Sequence, residues 1–283
     1  MRKSQQRRNL NGRGHGVIRV WWVYGLALFF FLACERPIQK EYKKAETEAS
    51  SQNWRTAVSL FEDIVRTEPA SAEALMSARE GARIASLEIK DVTRAIPLYR
   101  HLVLYSPEPK ESLNAQKQIV DIVFAQIQDY PRAIEEISSL LQVETDAEER
   151  VAYRVKLARS YYHMNNFMQA AAELKELLRG PHDHKLDFEI KELQANILIA
   201  DKKYDEASVI LRDLLTKHRD QAIRENVPMT LAVALEEQKD FKGAIGILES
   251  VKASHPVPEY VELRLKRLRE RSLNQPGARG WKK

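Results

Sequence analysis

An all-α chain is predicted, an α-solenoid of about six helix hairpins closed by a C-terminal capping helix. Three observations on the 283-residue sequence carry this reading. Alanines recur as Ala57, Ala95, Ala133, Ala170, Ala207 and Ala244, at intervals of 38, 38, 37, 37 and 37. Three residues before each stands Trp54, Val92, Tyr130, Phe167, Tyr204 or Phe241. Glycine and proline are sparse, 10 and 11 in the chain, which excludes collagen-like and Gly/Pro low-complexity character. Self-similarity at such a period marks a repeat array, whose units bury their apolar faces only against their neighbours.

Residues 1–33 come first. They hold Arg2, Lys3, Arg7, Arg8, Arg13 and Arg19, no acidic residue, and an apolar run over the 14 residues 20–33. A run of that length fits the core of a secretory signal, and a spanning helix needs about 20. Directly after it stands Cys34, the single cysteine, so intramolecular disulfides and cysteine-rich metal sites are excluded. Phe31-Leu32-Ala33-Cys34 resembles the lipobox of bacterial lipoproteins, with Phe31 where leucine is usual. The resemblance implies that residues 1–33 are a signal peptide and that Cys34 becomes the acylated first residue, with a palmitate-type anchor. Glu35 in place of aspartate implies transfer to the outer membrane, facing the periplasm. The alternative is an uncleaved inner-membrane anchor.

Charge follows the same division. Without the six leader cations, the remaining 250 residues carry 39 basic and 40 acidic groups. The basic excess belongs to the leader, and nucleic-acid binding loses its main support.

The repeats occupy residues 34–256. Asn53, Asp91, Asp129, Asn166 and Asp240 precede the aromatic or β-branched position, where a side-chain oxygen can accept from the free N–H groups of a helix start; Lys203 is the exception. Four residues after each alanine come Phe61, Tyr99, Ile137, Leu174, Leu211 and Leu248. Seven after come Ile64, Leu102, Leu140, Leu177, Leu214 and Val251. These positions share one helical face. Alanine among them lets a preceding helix approach closely. That helix is visible as Leu157, Ala158 and Tyr161, then Leu193, Ala195 and Leu198, then Leu231, Ala232 and Leu235. Pro69, Pro107 and Pro256 fall near helix ends; Pro97 lies inside a helix and is expected to kink or loosen it.

This pattern resembles the tetratricopeptide repeat over about residues 38–256, with 37–38 residues per unit instead of 34. The resemblance implies a right-handed superhelix. Residues 257–283 form the end, where Tyr260, Val261, Leu263, Leu265 and Leu268 suit a capping helix and a basic tail follows.

Catalytic signatures are not found. There is no P-loop, GxSxG or HExxH, and the six glycines after Cys34 make no phosphate cradle. The close pair His182 and His184 flanks Asp183 in an inter-repeat loop, a poor metal site. We therefore expect no enzyme, cofactor, metal or small-molecule substrate.

Tetratricopeptide arrays bind peptides or helices in a groove lined by the first helix of each repeat. The resemblance places Arg159, Tyr162, His163 and Asn196 in that groove. Val155 and Arg159 stand where a carboxylate clamp would want Lys and Asn, so capture of a C-terminal carboxylate is not indicated. Two families combine a lipobox with a short array of this kind: the pilotin-like lipoproteins of type IV pilus secretin assembly, and the lipoprotein subunit of the outer-membrane β-barrel assembly machine. The expected role is a lipid-anchored periplasmic scaffold whose partners are proteins of an envelope complex for pilus, outer-membrane protein assembly or motility. An adaptor for peptidoglycan or cell-wall enzymes, and an inner-membrane assembly factor, are the alternatives.

Overall fold

The computed structural model describes residues 36–179 and 184–274. The signal segment, Cys34, the loop holding His182 and Asp183, and the tail beyond Asn274 lie outside the described residues. The described residues form two compact units that part between Tyr105 and Ser106. The first contains α1 (Pro37–Ser50), α2 (Trp54–Thr67), α3 (Ala72–Leu87) and α4 (Val92–Tyr105). The second contains α5 (Pro109–Asp121), a π-helical turn (Ile122–Ile127), α6 (Tyr130–Val143), α7 (Ala147–His163), α8 (Phe167–Arg179), α9 (His184–Ala200), α10 (Tyr204–Lys217), α11 (Arg219–Arg224), α12 (Val227–Glu237), α13 (Phe241–Val251), a 3₁₀ turn (Lys252–Ser254) and α14 (Pro258–Leu273). Among these residues every regular element is helical.

All six predicted second helices are present. Trp54, Val92, Tyr130, Phe167, Tyr204 and Phe241 are each the first residue of their helix: α2, α4, α6, α8, α10 and α13. The six repeating alanines are fully buried. The first helix of each hairpin carries a second small or β-branched buried residue. That second ladder reads Ala45, Ala82, Val120, Ala158, Ala195 and Ala232, and it too is fully buried. Between the ladders the chain counts 12 residues in hairpins one, four, five and six, and 13 in hairpins two and three. From each second helix to the next first helix it counts 25 throughout.

The extra residue is absorbed at the end of the first helix. In four hairpins the turn closes with a backbone bond five residues back: Asn53 N–H to Glu48 O (2.9 Å), Asn166 to Tyr161 (2.8 Å), Lys203 to Leu198 (2.8 Å) and Asp240 to Leu235 (2.8 Å). In the other two it reaches six back, Asp91 to Ala85 (2.7 Å) and Asp129 to Val123 (3.2 Å). In hairpin three that widening is the π-helical turn, the usual way a helix takes in one residue.

Every hairpin turn also contains a left-handed residue two places before the first residue of its second helix. These are Gln52, Lys90, Gln128, Asn165, Lys202 and Lys239, with φ between 52° and 65°. None is glycine, the residue that most readily takes this conformation.

Pro97 lies inside a helix as expected, while the capping positions divide. α4 runs from Val92 to Tyr105 past Pro97, whose ring faces solvent while Ile96 and Leu98 are buried. Side-chain capping is found at Asp91, Asp129 and Asp240, which accept from Arg94, Arg132 and Gly243 N–H. Asn53 instead donates through Nδ2 to Glu48 Oε2 (2.8 Å), tying the new helix to the end of the old one.

Ion pairs bind hairpins laterally within each unit. In the first, Arg94 clamps Glu62 with two bonds (2.9 and 2.6 Å) and also reaches Ser59 Oγ (2.9 Å). In the second, Lys117 Nζ reaches Glu149 of the next hairpin at 3.4 Å and also meets the buried Glu144 of its own hairpin at 2.6 Å, a contact that holds the Glu144 carboxyl below its usual range.

Ala170→Leu should lower stability by about 1–3 kcal/mol through overpacking, read as a shifted urea midpoint. Lys239→Gly, relieving one left-handed residue, should raise stability by up to about 1 kcal/mol in the same assay.

Candidate functional site: a groove on the first helices of hairpins four to six

The inner stripes of three successive first helices and the capping helix converge on a concavity of about 520 Å³. α7 contributes Tyr162; α9 contributes Asn196, Ile199 and Ala200. Met229, Thr230 and Val233 come from α12, Asn226 from the residue before it, and Tyr260 from α14. The spacings explain the convergence. Residues 196, 199 and 200 share one face of α9, and 226, 229, 230 and 233 share one face of α12. Arg159, Asn196 and Val233 are 37 residues apart and occupy equivalent places, so the groove grades from charged through amide to apolar along the array.

Of the four predicted groove residues, Tyr162 and Asn196 line the concavity. Arg159 is not among the lining residues; one terminal guanidinium nitrogen stands 3.7 Å from both Glu189 and Glu192. Its charge is therefore already engaged by the next hairpin. His163 lies outside the lining and stacks on Tyr130, ring centroids 4.4 Å apart and nearly parallel. Burial, followed by the Arg159 charge, lowers the His163 pKa. Tyr162 is held edge-on by His163 and packs on Phe167 at 5.7 Å. Burial and then Glu192 raise its pKa, so the phenol keeps its proton and donor capacity.

The far wall was not foreseen. His255 is buried, and its Nδ1 accepts the Val257 N–H (3.0 Å). That assignment leaves the proton on Nε2, which donates to Asn226 Oδ1 (3.0 Å). Asn226 is thereby oriented at the groove floor, in a left-handed backbone conformation (φ 60°). Tyr260 belongs to the same wall, 6.5 Å from the His255 ring and 53% exposed. It and Leu263 (47% exposed) do not pack under the cap as expected; Val261, Leu265 and Leu268 alone do so.

The cap is pinned by its cations. Glu236 of α12 is 2% exposed, and its two carboxylate oxygens are taken by Arg264 and Arg271, seven residues apart on α14. Arg269 pairs with Glu249 at 2.6 Å. Part of the basic C-terminal character is thus structural. Among the described residues no group of three or more His, Cys, Asp or Glu side chains could hold a metal, and no helix is long and apolar enough to cross a membrane.

Arg264→Ala leaves the buried Glu236 carboxylate short of a partner, at a cost of about 1–3 kcal/mol. The expected readout is faster amide exchange along Pro258–Leu273 than along α10.

Residues 155–219 match the tetratricopeptide-repeat family model. No curated protein matches the sequence. Among solved structures the chain is similar to PilW, a widely conserved type IV pilus biogenesis factor, at 13% identity over 82% of this chain and 100% of that one, TM-score 0.53. It is similar to YrrB, a tetratricopeptide protein with an unusual peptide-binding site, at 13% identity over 73% and 97%, TM-score 0.52. A tetratricopeptide-repeat protein from Parabacteroides merdae aligns at 14% identity over 87% and 94%, TM-score 0.54. At such identities the likeness establishes the architecture: the chain has the fold of tetratricopeptide-repeat proteins.

Proposed function

We propose that this chain is a non-enzymatic scaffold of the bacterial envelope. It is anchored through a lipid on Cys34 at the periplasmic face of the outer membrane, and it holds a protein partner in the groove between Tyr162 and Tyr260. The observation that carries the reading is the joining of two features in one chain. A Phe31-Leu32-Ala33-Cys34 segment closes an apolar run of signal length, and a hairpin array with an open concavity follows it. Acylation of one residue beside a short leader ties the array to a surface while leaving its groove free for a partner. A single acyl chain binds membranes only marginally, so a stable anchor implies more than one chain on Cys34.

Pilus assembly gives the reading its direction. PilW is a pilus biogenesis factor, and its whole length aligns with 82% of this chain. The role proposed here is the corresponding one, assisting an envelope complex of the pilus or secretin type to assemble or stay in place.

Intact-mass spectrometry of membrane-extracted protein tests the address. Loss of residues 1–33 with added acyl mass, absent from a Cys34→Ala variant, is the expected result. A full-length chain without acyl mass would overturn the lipoprotein reading. Crosslinking from a photoreactive group at Asn196 should then capture envelope proteins in the wild-type background, and Tyr260→Ala should diminish the captured bands.

A further inference from the structure

The rim of the groove is acidic, and its acids are poorly neutralised. Glu189, Glu192 and Asn196 form one stripe of α9, three to seven residues apart, leading directly into the Ile199–Ala200 floor. Glu225 comes from the connection before α12, next to the groove residue Asn226. The charges that Glu192 feels are Glu189, Glu225 and Arg159, three carboxylates sharing one guanidinium when Glu192 itself is counted. Arg159 approaches two of them only at 3.7 Å, beyond hydrogen-bond distance. Burial is the largest influence on Glu192 and pushes its pKa up, which means that its negative charge is under-compensated where it stands.

Beyond this rim the lining turns apolar and aromatic: Tyr162, Ile199, Met229, Val233 and Tyr260. A ligand that satisfies both halves brings a cation to the carboxylates and apolar side chains to the floor. An acidic ligand would add like charge to a half-buried carboxylate, an arrangement that costs free energy.

We propose that the groove selects a partner segment in which lysine or arginine stands beside apolar residues, the cation seated among Glu189, Glu192 and Glu225 and the apolar side chains between Tyr162 and Tyr260. The inference rests on the groove-binding role proposed above and adds the chemistry of the partner. The tyrosine faces reinforce the choice, since an aromatic ring beside a partly desolvated cation attracts it further.

Fluorescence polarisation with the full-length chain tests it, using three labelled peptides of identical apolar frame that carry paired lysines, glutamines or glutamates. The lysine peptide should bind about tenfold tighter than the glutamine peptide, with the glutamate peptide weakest. The preference should shrink as salt is raised. It should also shrink in Glu189→Gln/Glu192→Gln, whose fold is checked by circular dichroism, and grow in Arg159→Gln. Tyr260→Ala should weaken the lysine and glutamine peptides alike.

Equal binding of all three peptides, lost in Tyr260→Ala, would overturn the cationic assignment and leave the groove reading standing. No binding by any peptide would defeat the groove reading itself. Tightest binding of the glutamate peptide would overturn the assignment outright. A competitor of residues 275–283, which carries Arg279, Trp281, Lys282 and Lys283, completes the set. Displacement of the lysine probe by that competitor at equal strength would reassign the occupant to the chain's own C-terminus.

Discussion

The close approach of two helices at a pair of small residues is the constraint on which the remaining structure depends. In each hairpin a fully buried alanine of the second helix is matched by a fully buried Ala45, Ala82, Val120, Ala158, Ala195 or Ala232 on the first. Dispersion and burial at that contact grow only if backbones can come near, so the side chain there must be short. The larger residues four and seven positions on share a core with the neighbouring hairpin, as Leu174 and Leu177 do with Ile190 and Leu193, and Leu211 and Leu214 with Leu231 and Leu235. Gly81 illustrates how little room remains: a Cβ there would stand 3.0 Å from Leu98 Cδ1 and 3.2 Å from Phe61 Cβ.

The groove is a by-product of the same stacking. Packing consumes one stripe of each first helix and leaves another facing inward, so what that stripe displays is free of the core's demands. Arg159, Asn196 and Val233 differ completely at one repeat position while Ala158, Ala195 and Ala232 beside them do not change. Function can vary at the first set because the second set holds the frame. The last wall depends on a different device. Buried Glu236 fastens α14 through Arg264 and Arg271, and that helix presents Tyr260 to the concavity.

Much of this was legible in the sequence because it is periodic. The six aromatic or β-branched positions mark helix starts to the residue, and the six alanines are all interior. The first-helix ladder was read only in hairpins four to six; in hairpins two and three one extra residue shifts its phase against the alanines. Tyr162 and Asn196 were legible from repeat position. The wall of Asn226, His255 and Tyr260 was not, since it is built once, from the end of the array, and has no copy elsewhere in the chain to reveal it. Tyr260 and Leu263 misled for a related reason. A terminal helix packs on one side only, so apolar residues outside its single buried stripe stay in solvent. Asn53 likewise sits at a capping position but donates its amide to Glu48 instead, a choice that spacing alone does not express.

The constancy of 25 residues between ladders across every hairpin junction, against 12 or 13 within a hairpin, has a bearing on how such a chain can change over time. One joint per unit has slack: a helix end that can widen from a five-residue to a six-residue closure without turning the helix that follows. The other joint has none, because a residue added there would rotate the next inward stripe by about 100° and carry its display out of the groove. Length drift in this lineage should therefore accumulate at the tips of hairpins and be purged between them, whatever the groove has come to hold.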